Sequence, residues 1–207
     1  MKRLGVLISG RGSNFEAIAE QIDAGALDAE IAVVISNRAD APGLESARNR
    51  RINAVCIPSK GLDREAYDLF LLEELHKHSV DFVCLAGFLR LLSATFIRQY
   101  PNRILNIHPS LLPAFPGLDA QRQALEHGVK IAGCTVHFVD EELDAGPIIL
   151  QTAVPVLDGD TVEMLSARIL RQEHHLYSEA LRLVLSGEFR IEGRRVIAVP
   201  SASGLAS

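Results

Sequence analysis

The feature that most constrains this chain is a rhythm. A short apolar run, a turn and an amphipathic segment follow one another repeatedly as far as residue 108. Apolar runs at residues 4–9, 31–35, 54–57, 82–86 and 103–108 read as buried strands. Between them, residues 14–24 put Phe15, Ile18, Ala19 and Ile22 on one helical face, and residues 42–50 open on Pro42, a residue suited to a first helical turn. Residues 63–78 carry a stripe through Ala66, Leu69, Phe70 and Leu75, and residues 93–100 form a short helix. Strands apolar on both faces that alternate with helices imply parallel βαβ units, with helices covering both sides of the sheet. The expected fold is therefore α/β, a Rossmann-like, doubly wound, mostly parallel sheet.

After Asp119 the rhythm changes. A helix at 120–126 precedes two long strand-like runs, 134–139 and 148–156, then a long helix at 161–186. A short hairpin, 189–191 and 196–198 around Glu192-Gly193-Arg194, completes an antiparallel C-terminal part. The expectation is one domain over residues 1–199 and a frayed Ser/Ala/Gly-rich tail at 200–207.

Composition narrows the class. The 207 residues are 48% apolar and 23% charged, enough apolar material to fill a core without disulfides or a structural metal. With 21 Lys and Arg spread along a chain of net charge −5, no basic stripe for nucleic acid is visible. Cys56, Cys84 and Cys134 lie far apart in apolar runs, without CxxC or zinc-ligand spacing, and read as buried thiols in a reducing cytoplasm. The N-terminal run has five apolar-type residues before a polar loop, too short for a secretory h-region, and no run approaches the ~20 residues of a membrane span. A soluble cytoplasmic protein, monomer or homodimer, acting on small molecules rather than nucleic acid or membrane, is expected.

In an open α/β sheet, ligands bind at the carboxyl ends of the strands, near the point where strand order reverses. Chemistry is therefore expected in the loops after Ser9, Gly87, His108 and Val139. The first of these, Gly10-Arg11-Gly12-Ser13-Asn14, opens a helix. Its two glycines allow a tight turn with N–H groups aimed at an anion on the helix N-terminus. A dinucleotide fingerprint would need a third glycine where Phe15 stands, and an acid at the end of the second strand, where Ser36-Asn37-Arg38 stands. The NAD reading fails on both counts. A phosphate-bearing substrate remains, with Ser13 and Asn14 as further donors, beside the plainer reading of a capped βα turn.

Asn106-Ile107-His108 ends an apolar strand, and alternation puts Asn106 and His108 on one face. Two donors aimed at one point suit a developing oxyanion, and a protonated His adds charge. The loop that follows carries Pro109, Pro113 and Pro116 and reads as a stiff wall. Asp140, Glu141, Glu142 and Asp144 crowd one turn between two strands; such a run is ordinarily a solvated loop, but one member could hold His108 as a cation if the loop folds over it. On the helix at 161–186, Asp160 with Glu163 has the spacing of a capping box, and Glu173 falls on the apolar stripe Leu165, Ile169, Leu176 and Ala180. A carboxylate on a core-facing stripe needs donors: a sugar hydroxyl, a substrate amine or a partner Arg would serve. His174-His175 lacks metal-ligand spacing, His76, His78 and His127 read as exposed, and His137 as a supporting group on a strand face.

Assembled in this order, the segments 8–14, 85–92, 106–113 and 133–147 resemble those of the glycinamide ribonucleotide formyltransferases, folate-dependent enzymes of purine synthesis, with the likeness running from residue 3 to 199. The resemblance implies the formyltransferase fold. It also implies transfer of the formyl group of 10-formyltetrahydrofolate to the glycyl amine of 5'-phosphoribosylglycinamide, without a metal. By it, Gly12, Ser13, Asn14 and Glu173 hold the ribonucleotide. Arg64, Leu89, Arg90, Leu91, Leu92 and the loop of Asp140, Glu141, Glu142 and Leu143 meet the folate. Asn106, His108 and Asp144 form the catalytic trio, Asp144 supporting His108 as a cation. The chain departs from the family at Asp119-Ala120-Gln121, where many members carry His-Thr-His, and at Leu170, where some place a polar substrate contact.

The expected mechanism is direct attack of a neutral amine on the formyl carbon, since none of these motifs sets a Ser or Cys beside a base. Three alternatives stay open. Formyl transfer to methionyl-tRNA or to a nucleotide sugar amine is disfavoured by the expectation that no second domain follows and that no surface is basic. Hydrolysis of the folate ordinarily brings an N-terminal regulatory module that is not expected here. A silent nucleotide-binding module would explain the glycine-rich loop but not the trio.

Overall fold

The computed structural model describes residues 1–199; the frayed tail expected at 200–207 lies outside the described residues. Five βα units build the first part: β1 (Lys2–Ile8), α1 (Ser13–Asp23), β2 (Ala29–Ser36), α2 (Pro42–Asn49), β3 (Ala54–Cys56), α3 (Arg64–Lys77), β4 (Phe82–Leu85), α4 (Ala94–Gln99), β5 (Ile104–His108) and α5 (Ala120–Glu126). The remainder is β6 (Ile131–Phe138), β7 (Ile148–Pro155), α6 (Val162–Ser186), β8 (Phe189–Glu192) and β9 (Arg195–Ala198). All nine strands form one sheet in the order β3-β2-β1-β4-β5-β6-β7-β9-β8. Strands β1 to β5 are mutually parallel. β6 and β7 run antiparallel, and the β8–β9 hairpin joins the β7 edge at Ile148 and Arg195. This is the single-domain α/β architecture read from the sequence, antiparallel at its C-terminal part.

Alternation along the central strands divides the core in two. Leu4, Val6 and Ile8 of β1 point to one side, where Phe15, Ile18, Leu44, Leu165, Ile169 and Leu176 bring α1, α2 and α6 against the sheet. Leu7 points to the other, among Tyr67, Leu71, Leu75, Leu92 and Phe96 of α3, α4 and the segment before α4. Among the described residues no helix is long and apolar enough to cross a membrane.

Three local readings are corrected. The expected stripe on α3 is rotated: Leu69 and Phe70 are 60% and 49% exposed, while Tyr67, Asp68, Leu71, Leu72 and Leu75 are buried. Apolar residues lie all round this helix, so docking on the sheet rather than periodicity chooses the face. The cap of α6 is Thr161, whose hydroxyl accepts from the Met164 N–H, because Asp160 is drawn into a two-pronged ion pair with Arg168 at 2.6 and 2.7 Å. β6 begins at Ile131, earlier than expected, since Ala132 and Gly133 continue the ladder to Val154 and Ala153.

Candidate active site

β1 and β4 lie side by side within the parallel part of the sheet, and the chain winds away from them in opposite directions, which makes the crevice above their carboxyl ends the topological switch point. The loops leaving them are joined: the Ser9 N–H donates to the Gly87 carbonyl at 3.0 Å, and the Leu89 N–H donates to Ser9 Oγ at 2.9 Å. Gly12 precedes α1 with φ 74°, and a Cβ there would sit 3.3 Å from the Gly43 Cα, so both backbone conformation and space require glycine. Gly10 has open space around its Cβ direction, so of the two glycines it is Gly12 whose conformation and surroundings demand the residue. α1 starts without a side-chain cap, leaving its first amides available at the positive end of the helix. Beside them opens a cleft of about 270 Å³ lined by Arg11, Ser13, Glu16, Glu20, Leu170 and His174.

Asn14 and Glu173 meet beneath this loop. Asn14 Nδ2 donates to Glu173 Oε2 at 2.8 Å, and both residues are buried. Burial pushes the Glu173 carboxyl above its ordinary value, against the pull of the Asn14 donor. Asn14 Oδ1 is buried without a hydrogen-bond partner among the described residues. The core-facing carboxylate expected from the stripe is therefore real, and its partner is an amide rather than an arginine.

At the end of β5, Asn106 and His108 share a face as the alternation requires. Asn106 Nδ2 lies 3.2 Å from His137 Nε2, and His137 Nδ1 lies 2.9 Å from the Phe138 carbonyl. Burial lowers the His137 pKa and keeps the ring neutral. Its one proton then belongs on Nδ1, and Nε2 accepts from Asn106. His108 Nε2 lies 2.8 Å from the Phe115 carbonyl, and Nδ1 lies 3.4 Å from Asp144 Oδ2. The carbonyl stands within hydrogen-bond distance of Nε2, and the carboxylate faces Nδ1 as an ion-pair partner.

Asp144 reaches this point through unusual backbone. It adopts φ 48°, and Gly146 passes so close to the Phe138 carbonyl that a Cβ would overlap it. Asp144 Oδ2 also accepts from the Gly117 N–H at 2.8 Å. The other acids of the run do not join it: Glu141 pairs with Arg98 at 3.1 Å on the surface, Asp140 accepts from the Glu142 N–H, and Glu142 is exposed. The loop bearing Phe115 and Gly117 is pinned from below, where Thr135 Oγ1 donates to the Ser110 carbonyl and accepts from the Leu112 N–H, and Gln151 donates to the Leu112 carbonyl. These main-chain partners of His108 and Asp144 carry no side-chain signal, and the sequence reading missed them; Thr135 and Gln151 were legible only as strand residues.

The expected folate segment runs between β4 and α4, with Leu89 and Leu91 68% and 50% exposed. Arg90 turns inward over the Tyr67 ring at 4.7 Å. Arg64 opens α3 alongside, and Leu143 is exposed on the acidic loop. Asp119 and Ala120 stand at the start of α5, where Asp119 takes a left-handed backbone, and Leu170 lines the cleft beside Ser13. The Cys84 and Cys134 thiols are pushed up to about 12 by burial, which denies them a nucleophilic role at neutral pH. Among the described residues no three His, Cys, Asp or Glu side chains gather as a metal site.

Residues 2–181 match the formyl transferase family. The phosphoribosylglycinamide formyltransferase of Escherichia coli (strain K12) is 46% identical over 187 residues, covering 90% of this chain and 88% of that protein. The trifunctional purine biosynthetic protein adenosine-3 of Drosophila pseudoobscura pseudoobscura is 50% identical over 192 residues, but this chain spans only 14% of its length. Among solved structures, glycinamide ribonucleotide transformylase 1 from Symbiobacterium toebii superposes with a TM-score of 0.95 at 57% identity, covering 97% of this chain and 95% of that one.

Proposed function

The chain belongs to the formyl transferase family, and from that premise we propose that it moves the formyl group of 10-formyltetrahydrofolate to the glycyl amine of 5'-phosphoribosylglycinamide in purine biosynthesis. The observation that carries the reading is the convergence of Asn106, His108 and Asp144 beside the switch-point crevice, His108 held at 3.4 Å from Asp144 and Asn106 on the same strand face. The ribonucleotide phosphate rests on the first amides of α1 at Gly12, Ser13 and Asn14, and Glu173 accepts from the sugar or amine end of the substrate. The folate lies along residues 89–92, whose exposed leucines give it an apolar bed, with Arg64 and the acidic loop at its rim.

The neutral amine attacks the formyl carbon, and the carbonyl electrons move onto oxygen. The Asn106 amide donates to that oxygen, and His108 supplies positive charge while Asp144 and the Phe115 carbonyl hold its two protons. Collapse breaks the bond between the formyl carbon and N10 of the folate. The attacking nitrogen loses a proton and N10 gains one, a relay for which His108 must release its Nε2–H from Phe115.

The test mixes the purified protein with 10-formyltetrahydrofolate, with and without the ribonucleotide, and follows the products by mass spectrometry. Formylated ribonucleotide and tetrahydrofolate formed only with both substrates are expected. Formate released without the ribonucleotide would make the protein a hydrolase and overturn the assignment.

A further inference from the structure

The buried face of α3 holds a charge that the core does not need. Asp68 is 2% exposed, among Tyr67, Leu71, Leu92 and Phe96. A carboxylate there carries a desolvation penalty that an apolar residue would avoid. What it touches accounts for its presence. Its Oδ2 accepts the Ser93 backbone N–H at 2.5 Å. Ser93 in turn caps α4, its Oγ accepting from the Phe96 N–H at 3.2 Å.

The segment 89–92 is thus hung between two hydrogen bonds, the Leu89 N–H on Ser9 at one end and the Ser93 N–H on Asp68 at the other. Between these anchors Leu89 and Leu91 face outward and Arg90 turns inward over Tyr67. Arg90 Nε and the Tyr67 hydroxyl are buried without hydrogen-bond partners among the described residues. The guanidinium therefore rests on the ring face, while burial raises the Asp68 carboxyl above its ordinary value and the Ser93 hydrogen bond, then the charges of Arg90 and Arg64, pull against it.

We infer that Asp68 is a positioning residue for folate binding: through the Ser93 N–H it anchors the far end of residues 89–92 and so fixes the outward presentation of Leu89 and Leu91. The inference rests on the reading above that those residues contact the folate. It acts on one ligand and not the other, because α3 lies across the sheet from Asn14, Glu173 and the ribonucleotide side.

The test is calorimetric binding of tetrahydrofolate and, separately, of the ribonucleotide to the wild type and to D68N, with thermal unfolding of each. Asn keeps an acceptor for the Ser93 N–H but turns a charge-assisted bond into a weaker neutral one, so D68N is expected to fold cooperatively even where D68A does not, with its anchor on residues 89–92 loosened. Its tetrahydrofolate Kd should rise about tenfold, while its ribonucleotide Kd stays within about twofold. An unchanged tetrahydrofolate Kd, or equal weakening of both ligands, overturns the inference by showing a purely structural role. Failure of the proposed reaction is read independently: it shows in the wild type, as tetrahydrofolate binding without formyl transfer, or as no folate binding at all.

Discussion

Replacing Glu173 by Gln should produce a protein that is more stable and less active, and the structure says by how much. Glu173 is 7% exposed and receives one hydrogen bond, from Asn14 Nδ2. Burying a carboxylate costs several kcal/mol even after relaxation, and one charge-assisted hydrogen bond returns about 1.5–3 kcal/mol. Gln removes the charge and keeps the acceptor. Its amide also brings the kind of donor that Asn14 Oδ1 lacks among the described residues. The expected gain at pH 8 is roughly 1–3 kcal/mol, or about 2–12 °C in Tm for a chain of this size. The sign of the pH dependence follows from the raised pKa. Below the ordinary value of 4.5 the acid is protonated in both folded and unfolded chains, so nothing is lost; as pH climbs past it, the unfolded chain ionises first and the wild type weakens. The advantage of E173Q should therefore shrink as pH falls towards 4.5 and widen above it. Calorimetric scans at pH 5 and pH 8 measure this, and steady-state kinetics should show the ribonucleotide KM raised by about tenfold or more. A variant less stable than wild type at pH 8, or a gain equal at both pH values, would refute the account of the buried charge. An unchanged KM would remove Glu173 from the substrate site.

Asn106→Ala should lower kcat by about 10²–10³ with little change in melting, as loss of one oxyanion donor does elsewhere; near-normal turnover would remove Asn106 from the reaction. Asp144→Asn keeps an acceptor for the Gly117 N–H but not the charge beside His108, so kcat should fall by about 10²–10⁴ in a folded protein. Loss of the fold instead, seen by circular dichroism, would make Asp144 structural. Asp160 is held down at about 2 by Arg168 and by the Leu157 N–H, so its contribution is present above the ordinary 3.8 and is lost as pH falls to about 2. D160N should melt earlier than wild type at pH 7 and match it near pH 2; a gap that persists at pH 2 contradicts the ion pair.

The fold was legible because its signals are local and repeated. Each apolar run that is buried on both faces declares a strand of a parallel sheet, and Asp63, Ser93 and Thr161 mark helix starts by ordinary capping chemistry. Reading failed where two local rules competed. Asp160 has the spacing of a capping box, yet Arg168 two turns along offers it a stronger partner, and Thr161 caps in its place. α3 carries apolar residues on every side, so no period could say that Asp68 faces inward and Leu69 outward.

The site was legible as residue types and not as connections, and the acidic run shows why. Asp140, Glu141, Glu142 and Asp144 are equivalent in charge and neighbourhood along the chain; the reading from residues alone could not choose among them, and only family resemblance singled out Asp144. Within the fold the choice is physical. Gly146 alone lets the strand leave so close to the Phe138 carbonyl, which turns Asp144 inward to 3.4 Å from His108 while Glu141 is taken by Arg98. The acceptors that complete the arrangement, the carbonyls of Phe115 and Phe138, belong to the backbone, and any residue type in those positions would have supplied them. What the sequence specifies at this site is therefore less the identity of each contact than the stiffness of the loops that bring them together. Substitutions at Gly146, Thr135 or Gln151, none of which bears chemistry, should on this argument weaken the reaction through His108 while leaving the ribonucleotide side intact, a split that separate KM values for the two substrates would expose.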